Sequence, residues 1–390
     1  MSSPTPEVSI LFGITSDQTL LVLRPQLLAL QQAGFSVSLL CSPGPLATEL
    51  RSTTTIAVHL VPIRRGIAPL HDLLAFLRIL RLLARLRPAM VDFSTPKAAL
   101  LGLLAARLLR IPVRIHTLRG LRAESASPLL RPLLLFAERC TAACAHVVLC
   151  NSPSLLHQAA QLRIAPAARL RMLAHGSTHG VDLDQFAPGP AAPGQDSVRA
   201  AFGIPADALV LGYVGRLTRN KGIPELLQAF DTLRARHPQL WLLLGGWFDA
   251  SEDHLPPALV ERIRAHPAIV VTGFRAQVAP LYRAMDIFVL PTHREGFPNV
   301  ALEAAASALP IVTTTATGAC DAIQPGITGL LVPPGHPAAL ADAIAKLLPD
   351  PALRQQMGRS GHLWVAQHFA QPAVLAASVA FYQRMRSHAP

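Results

Sequence analysis

Aromatic side chains are scarce in this chain: Phe, Trp and Tyr make up 5% of 390 residues, with three Trp and three Tyr. Charged residues are also few, at 15%, while hydrophobic residues reach 51%. That balance excludes a disordered chain, which needs low hydrophobicity and high charge. Lysine is nearly missing, with Lys97, Lys221 and Lys346 standing against 32 arginines. The five cysteines (Cys41, Cys140, Cys144, Cys150, Cys320) form no CxxC and no Cys/His spacing that suits zinc. Their odd number, and an opening MSSPTPEVSILFGITSD without a basic segment before a long apolar one, lead us to expect a reducing cytosol and no signal peptide. No charge-free run is long enough to span a bilayer, and no repeat of solenoid length is present. There is no G-x-G-x-x-G after residues 8–14, which argues against a dinucleotide oxidoreductase. No aromatic-basic surface or known module suggests nucleic acid.

What is present is a length sufficient for two domains and a net charge of +12 that is unevenly placed. Residues 1–186 hold 19 Lys+Arg against 9 Asp+Glu, and residues 187–390 hold 16 against 14. A basic first half suits an anionic membrane surface or a phosphate-rich substrate.

Short apolar runs alternate with helical patterns. Residues 8–14 read as a buried strand, Leu20–Ala33 as a helix stopped by Gly34, and 36–41 as a strand, with further strands near 56–61, 89–93, 112–116 and 146–150. Residues 187–197, APGPAAPGQDS, read as a linker. A second series follows, with strands at 209–215, 241–246, 269–273, 287–291 and 310–314. The expected fold class is α/β, with two Rossmann-like, doubly wound parallel-sheet domains facing a cleft. The expected division is 1–186, 187–368 and a C-terminal helix at 369–390 that packs back toward the first domain.

Residues 70–87, LHDLLAFLRILRLLARLR, place Arg78, Arg81 and Arg85 on one helical stripe amid Leu, Ile, Ala and Phe. Residues 127–139 have similar character. Such helices can bury an apolar side while arginine heads reach phosphates or water.

The most informative segment is REGFPNVALEAAASALPIV, 294–312. Glu295 follows a strand in a loop with Gly296, Pro298 suits the first turn of a helix, and Glu303 falls about one turn inside it. A loop carboxylate and a helical carboxylate can then face the same space, beside a helix N-terminus suited to phosphate. In YVGRLTRNKGIPELLQAF, 213–230, Arg216 and Lys221 flank a strand-to-helix turn and can neutralise a diphosphate. A lysine in so arginine-rich a chain hints that a compact ammonium is wanted there.

These segments resemble those of retaining GT-B glycosyltransferases of family 4, of the type that acts on bacterial polysaccharide and lipid-linked glycans. The E-x7-E motif falls on Glu295 and Glu303, and G-R-x-x-x-x-K-G on Gly215, Arg216, Lys221 and Gly222. GSTHGVDLDQF (176–186) is similar to the family's domain crossing, and 94–124 is similar to first-domain segments of members acting on polysaccharide precursors. The resemblance implies that Glu295 contacts the donor sugar and that Glu303 binds the ribose. It implies that Gly296, Phe297, Pro298 and Asn299 line the donor, and that Arg216 and Lys221 stabilise the departing nucleotide. Many members carry a first-domain histidine where this chain has Arg119, so Arg119 is expected to contact donor or acceptor. His116, Gly13, Ser16 and Asp17 are the acceptor-side candidates.

The resemblance further implies transfer from a UDP-hexose or UDP-N-acetylhexosamine, with no metal or other cofactor. The expected acceptor is a polyprenyl-diphosphate-linked sugar or oligosaccharide, met in the cytoplasm at the inner face of the plasma membrane. A nucleotide-sugar epimerase of the same architecture and a non-catalytic glycan- or membrane-binding subunit are the alternatives.

Overall fold

The computed structural model describes residues 8–64, 66, 68–188, 194–249 and 253–386. They form two compact units, Met1–His179 with Pro372–Pro390, and Gly180–Gln371.

In the first unit, strands β1 (Val8–Gly13), β2 (Phe35–Cys41), β3 (Ala57–Leu60), β4 (Met90–Ser94), β5 (Val113–Leu118), β6 (Val147–Cys150) and β7 (Leu170–Arg171) form one parallel sheet in the order β3-β2-β1-β4-β5-β6-β7. The helices between them are α1 (Leu20–Gln32), α2 (Pro45–Thr53), α3 (Pro69–Leu86), α4 (Pro96–Leu108), α5 (Arg131–Cys144) and α6 (Pro153–Gln161). Alternate strand residues feed opposite faces, as the strand period of two requires. Leu11 and Val91 join Ile79, Leu83 and Leu103 on one side, whereas Ile10, Phe12 and Met90 join Leu23, Leu27 and Leu50 on the other. Both faces are thus covered, as a parallel sheet demands. In α3 the buried stripe is Ala75, Ile79 and Leu83, and Arg78, Arg81 and Arg85 are all exposed.

The second unit repeats the plan with α7 (Gly194–Ala201), β8 (Leu209–Val214), α8 (Ile223–Arg234), β9 (Leu240–Gly245), α9 (Pro257–Ala265), β10 (Ile269–Val271), α10 (Ala279–Arg283), β11 (Ile287–Leu290), α11 (Asn299–Ala306), β12 (Ile311–Thr314), β13 (Gly329–Val332), α12 (Pro337–Leu347) and α13 (Pro351–His368). Its parallel sheet runs β10-β9-β8-β11-β12-β13. A last helix, α14 (Gln371–Arg386), packs on the first unit, where Tyr382 is fully buried with its ring edge-on to Phe12 and Ser378 accepts from Gln26 at 2.8 Å.

The two α/β domains are those the sequence alternation predicts. The details differ in places. The units divide at Gly180 and Gln371, not at 187 and 369, because residues 180–186 build into the second unit: Val181 bridges to Ala370 and Phe186 enters the core. Part of the 187–197 linker lies outside the described residues, and its end is already helical from Gly194. β7 and β13 escaped the sequence reading, β7 because two residues carry too little pattern. Pro298 caps α11 and does not begin it. Helix α1 tolerates Pro25 within it.

Gly13 ends β1 against the buried Phe93 ring: a Cβ there would lie 2.0 Å from the ring edge. Gly13→Ala is therefore expected to cost about 1–3 kcal/mol by overpacking, seen as a lower urea midpoint. An unchanged midpoint would show that the ring yields freely.

Candidate active site

Ligands of open parallel sheets sit beyond the C-terminal strand ends, where the strand order reverses. In the second unit that point lies between β8 and β11. The loop after β8 carries Arg216 and Lys221, and the loop after β11 carries Glu295. The structure brings the last two together: Lys221 Nζ donates to Glu295 Oε1 at 2.5 Å, with the two side chains 20% and 13% exposed.

The backbone makes this meeting possible. Gly222 caps α8 at φ 73°, and a Cβ there would sit 2.0 Å from the carbonyl oxygen of Pro291. Only glycine allows that approach. The Asn220 carbonyl then accepts from the His293 amide at 2.9 Å and from Thr292 Oγ1 at 3.2 Å, stitching the two loops. His293 Nε2 lies 3.0 Å from Glu225 Oε1 on the first turn of α8. The carboxylate's hydrogen bond holds the His293 pKa above its ordinary value against the opposing pull of burial. On the other flank, the Glu295 amide donates to the Thr317 carbonyl at 2.9 Å, and Gly318 at φ 76° lets its chain pass close to the carbonyls of Glu295 and Gly296. Arg216 is 39% exposed at its side chain and donates to Asp249 Oδ2 at 2.7 Å. Gly215, at φ 145°, precedes it.

Glu303 sits on α11 with Tyr282 OH donating to its Oε2 at 2.7 Å. Burial pushes the Glu303 carboxyl up to about 7, against the smaller opposing effect of that hydrogen bond. Phe297 packs its ring on Phe369, with centroids 5.3 Å apart, and Asn299 Nδ2 reaches the Gly180 carbonyl at 3.4 Å. Glu295, Lys221 and the N-terminus of α11 therefore occupy one end of one sheet, within the loops that also hold Gly296 and Pro298.

The first-unit candidates are mostly built into the domain. His116 is 1% exposed, with Nδ1 3.1 Å from the Phe93 carbonyl and Nε2 2.8 Å from Glu138 Oε1, so both ring nitrogens are used internally. Burial would lower its pKa, but the Glu138 hydrogen bond and charge raise it above the ordinary value. Asp17 is buried and accepts from the Leu46 amide at 3.0 Å at the start of α2. Ser16 Oγ accepts from the Gln18 amide at 3.4 Å. Arg119 donates from a terminal nitrogen to Thr178 Oγ1 at 2.8 Å, which also receives Asn151 Nδ2 at 3.3 Å. Arg119 Nε is buried without a hydrogen-bond partner among the described residues. The guanidinium thus fastens the 176–179 turn. Burial lowers its pKa, and the charge of nearby Asp92 opposes that.

Several supporting residues were missed in the sequence. Asp249, Glu225 and His293 sit in no pattern that announces pairing. Tyr282 had one signal, rarity: all three tyrosines are fully buried, and their hydroxyls donate to the Arg216 carbonyl (Tyr213), to Glu303 (Tyr282) and to Asp92 (Tyr382). Thr95 stands at φ 70°, unusual for a β-branched residue, beside the β1–β4 reversal, and its Oγ1 accepts from the Thr15 amide at 2.9 Å.

A family model described as glycosyl transferases group 1 matches residues 208–350, and one described as a glycosyl transferase 4-like domain matches residues 22–176. The capsular polysaccharide biosynthesis glycosyltransferase CapM of Staphylococcus aureus is 31% identical over 93% of each chain. A D-inositol 3-phosphate glycosyltransferase of Kribbella flavida is 32% identical over 66% of this chain and 62% of its own length. Among solved structures, Anabaena HepE with UDP and glucose aligns over 98% of this chain and 100% of its own, with a TM-score of 0.79 at 20% identity. Sucrose-phosphate synthase of Thermosynechococcus elongatus aligns over the same shares, with a TM-score of 0.79 at 22% identity. Those two likenesses establish the fold, and the CapM match extends through both domains. The chain belongs to the family 4 glycosyltransferases of GT-B architecture.

Proposed function

We propose that this glycosyltransferase moves a sugar from a UDP-hexose or UDP-N-acetylhexosamine to a polyprenyl-diphosphate-linked sugar or oligosaccharide. The anomeric configuration is retained, and the product feeds a cell-surface polysaccharide. The observation that carries this reading is the Lys221–Glu295 pair at the β8–β11 reversal. A cation and a carboxylate held together there offer one group to a diphosphate and one to a sugar. CapM's role in capsular polysaccharide biosynthesis and the UDP bound to HepE support the substrate classes.

In this reading Glu303 accepts hydrogen bonds from the ribose hydroxyls. The α11 N-terminus and the amides of Gly296, Phe297 and Asn299 face the diphosphate. The arriving phosphates compete with Glu295 for Lys221, which frees the Glu295 carboxylate for the sugar hydroxyls. As the bond from C1 to the phosphate oxygen breaks, the acceptor oxygen bonds C1 on the same face. The acceptor proton passes to the departing phosphate oxygen. Arg216 and Lys221 stabilise the charge that develops on the nucleotide, so the reading assigns no step to a metal.

The reaction is placed at the anionic inner face of the plasma membrane. α3 exposes Leu70, Leu73 and Leu74 alongside Arg78, Arg81 and Arg85; just before α5 Leu129 is 94% exposed, and on α5 Phe136 is 63% exposed. Asp72, the one acidic residue of α3, is occupied by Lys97 at 2.8 Å. Exposed leucine and arginine without free carboxylates suit an anionic lipid surface. No helix among the described residues is long and apolar enough to cross a membrane.

Thermal shift should show one nucleotide, UDP ahead of GDP, ADP and dTDP, raising the Tm, with the rise weakened in Glu303→Ala. No shift with any of them would remove the donor reading. Lys221→Ala should lower turnover roughly a hundredfold or more; wild-type turnover on an intact nucleotide sugar would sink the leaving-group role. In vesicle sedimentation, replacing Arg78, Arg81 and Arg85 together by Gln should weaken binding to phosphatidylglycerol vesicles roughly a hundredfold, at about 1 kcal/mol per charge. Undiminished binding would place the docking face elsewhere.

A further inference from the structure

Glu303 is a carboxylate with a single side-chain donor. Among the described residues, only the Tyr282 hydroxyl hydrogen-bonds it, at 2.7 Å, and no charged side chain contributes to its ionisation. Tyr282 itself is fully enclosed. Its ring stands edge-on to Phe186, with centroids 5.7 Å apart, and tilted against Phe288 at the same separation. Phe186 is in turn tied to the end of α11, where Ser307 Oγ donates to its carbonyl at 3.2 Å. The second acceptor within reach of the tyrosine hydroxyl is the Val300 carbonyl, at 3.2 Å on the first turn of α11. The hydroxyl is thus fixed by rings on two sides and points along the face of α11 that bears Glu303.

We infer that Tyr282 is a positioning residue for nucleotide binding: clamped by Phe186 and Phe288, its hydroxyl holds the Glu303 carboxylate in the orientation that accepts from the ribose hydroxyls. This deepens the donor-site reading and rests on the assignment of Glu303 to the ribose. The physical reason is a balance. Burial disfavours the charge and raises the carboxyl to about 7, and the Tyr282 hydrogen bond works against that rise. A group whose charged form accepts the ligand's hydrogen bonds gains affinity as pH rises through its pKa and loses it below. Without the tyrosine hydroxyl the pKa moves up, and the affinity lost at neutral pH returns at higher pH.

The test is isothermal titration with UDP between pH 5.5 and 9, read as the ratio of variant to wild-type Kd so that the ligand's own titration cancels. Tyr282→Phe keeps the ring and removes only the hydroxyl. It should raise Kd about tenfold at pH 7, as loss of a hydrogen bond to a charged group does, and approach the wild-type value by pH 9. With the nucleotide sugar, its KM should rise while kcat changes little. Phe186→Leu, which loosens the clamp, should shift the profile in the same direction by less. A Tyr282→Phe ratio that is flat with pH, whether at wild-type affinity or uniformly weaker, overturns the inference. Glu303→Gln separates the two levels. If it binds UDP like wild type, the ribose assignment fails and the inference with it. If it loses UDP while Tyr282→Phe keeps the wild-type profile, the ribose assignment stands and the role of Tyr282 falls.

Discussion

The contact between Lys221 and Glu295 joins two loops that are 74 residues apart in the chain, and most features of the second domain's functional end serve to bring those loops together. β8 and β11 must be neighbours for it to form, so the sheet order is a precondition. Glycines at 222 and 318 let backbones approach where a Cβ would collide, and the Asn220 carbonyl takes two donors from the opposite loop. A half-buried ion pair is costly unless its geometry is held. Here the pair is flanked by the Glu225–His293 contact, which ties the first turn of α8 to the loop before Glu295.

The scarcity of aromatic and lysine side chains takes on meaning in this setting. A core made largely of Ala, Leu, Ile and Val has few groups that combine bulk with a polar tip, so each tyrosine is spent where a hydroxyl must be delivered into an enclosed place. Tyr213 braces the Arg216 backbone, Tyr282 holds Glu303, and Tyr382 brings a donor to buried Asp92 from the last helix. Asp92 also receives Thr117 Oγ1 at 2.8 Å, and burial holds its carboxyl above the usual range against these donors. Asp92 thus gathers Thr117 and Tyr382 into one buried cluster that includes α14, in keeping with that helix's place in the first unit.

Much of this was legible beforehand. The short apolar runs and their separation by helical patterns revealed both parallel-sheet domains, and Glu295, Glu303, Arg216 and Lys221 stood out by motif spacing and by the rarity of lysine. The first-domain candidates were less legible. His116, Asp17 and Arg119 look alike as isolated polar residues near strand ends. Only folding shows that Glu138 meets His116, that α2 claims Asp17, and that Thr178 takes Arg119.

The sequence alone determined the fold class, the two-domain plan and the family, because hydrophobic periodicity and motif spacing are local properties of the chain. The tertiary structure decided which side chains share a site and which are consumed as structure. It paired Lys221 with Glu295, placed Tyr282 behind Glu303, and moved the domain boundary to Gly180 by drawing Phe186 into the second core. Those outcomes depend on which strands become neighbours and on how deeply each group is buried, and sheet order and burial exist only once the chain has folded.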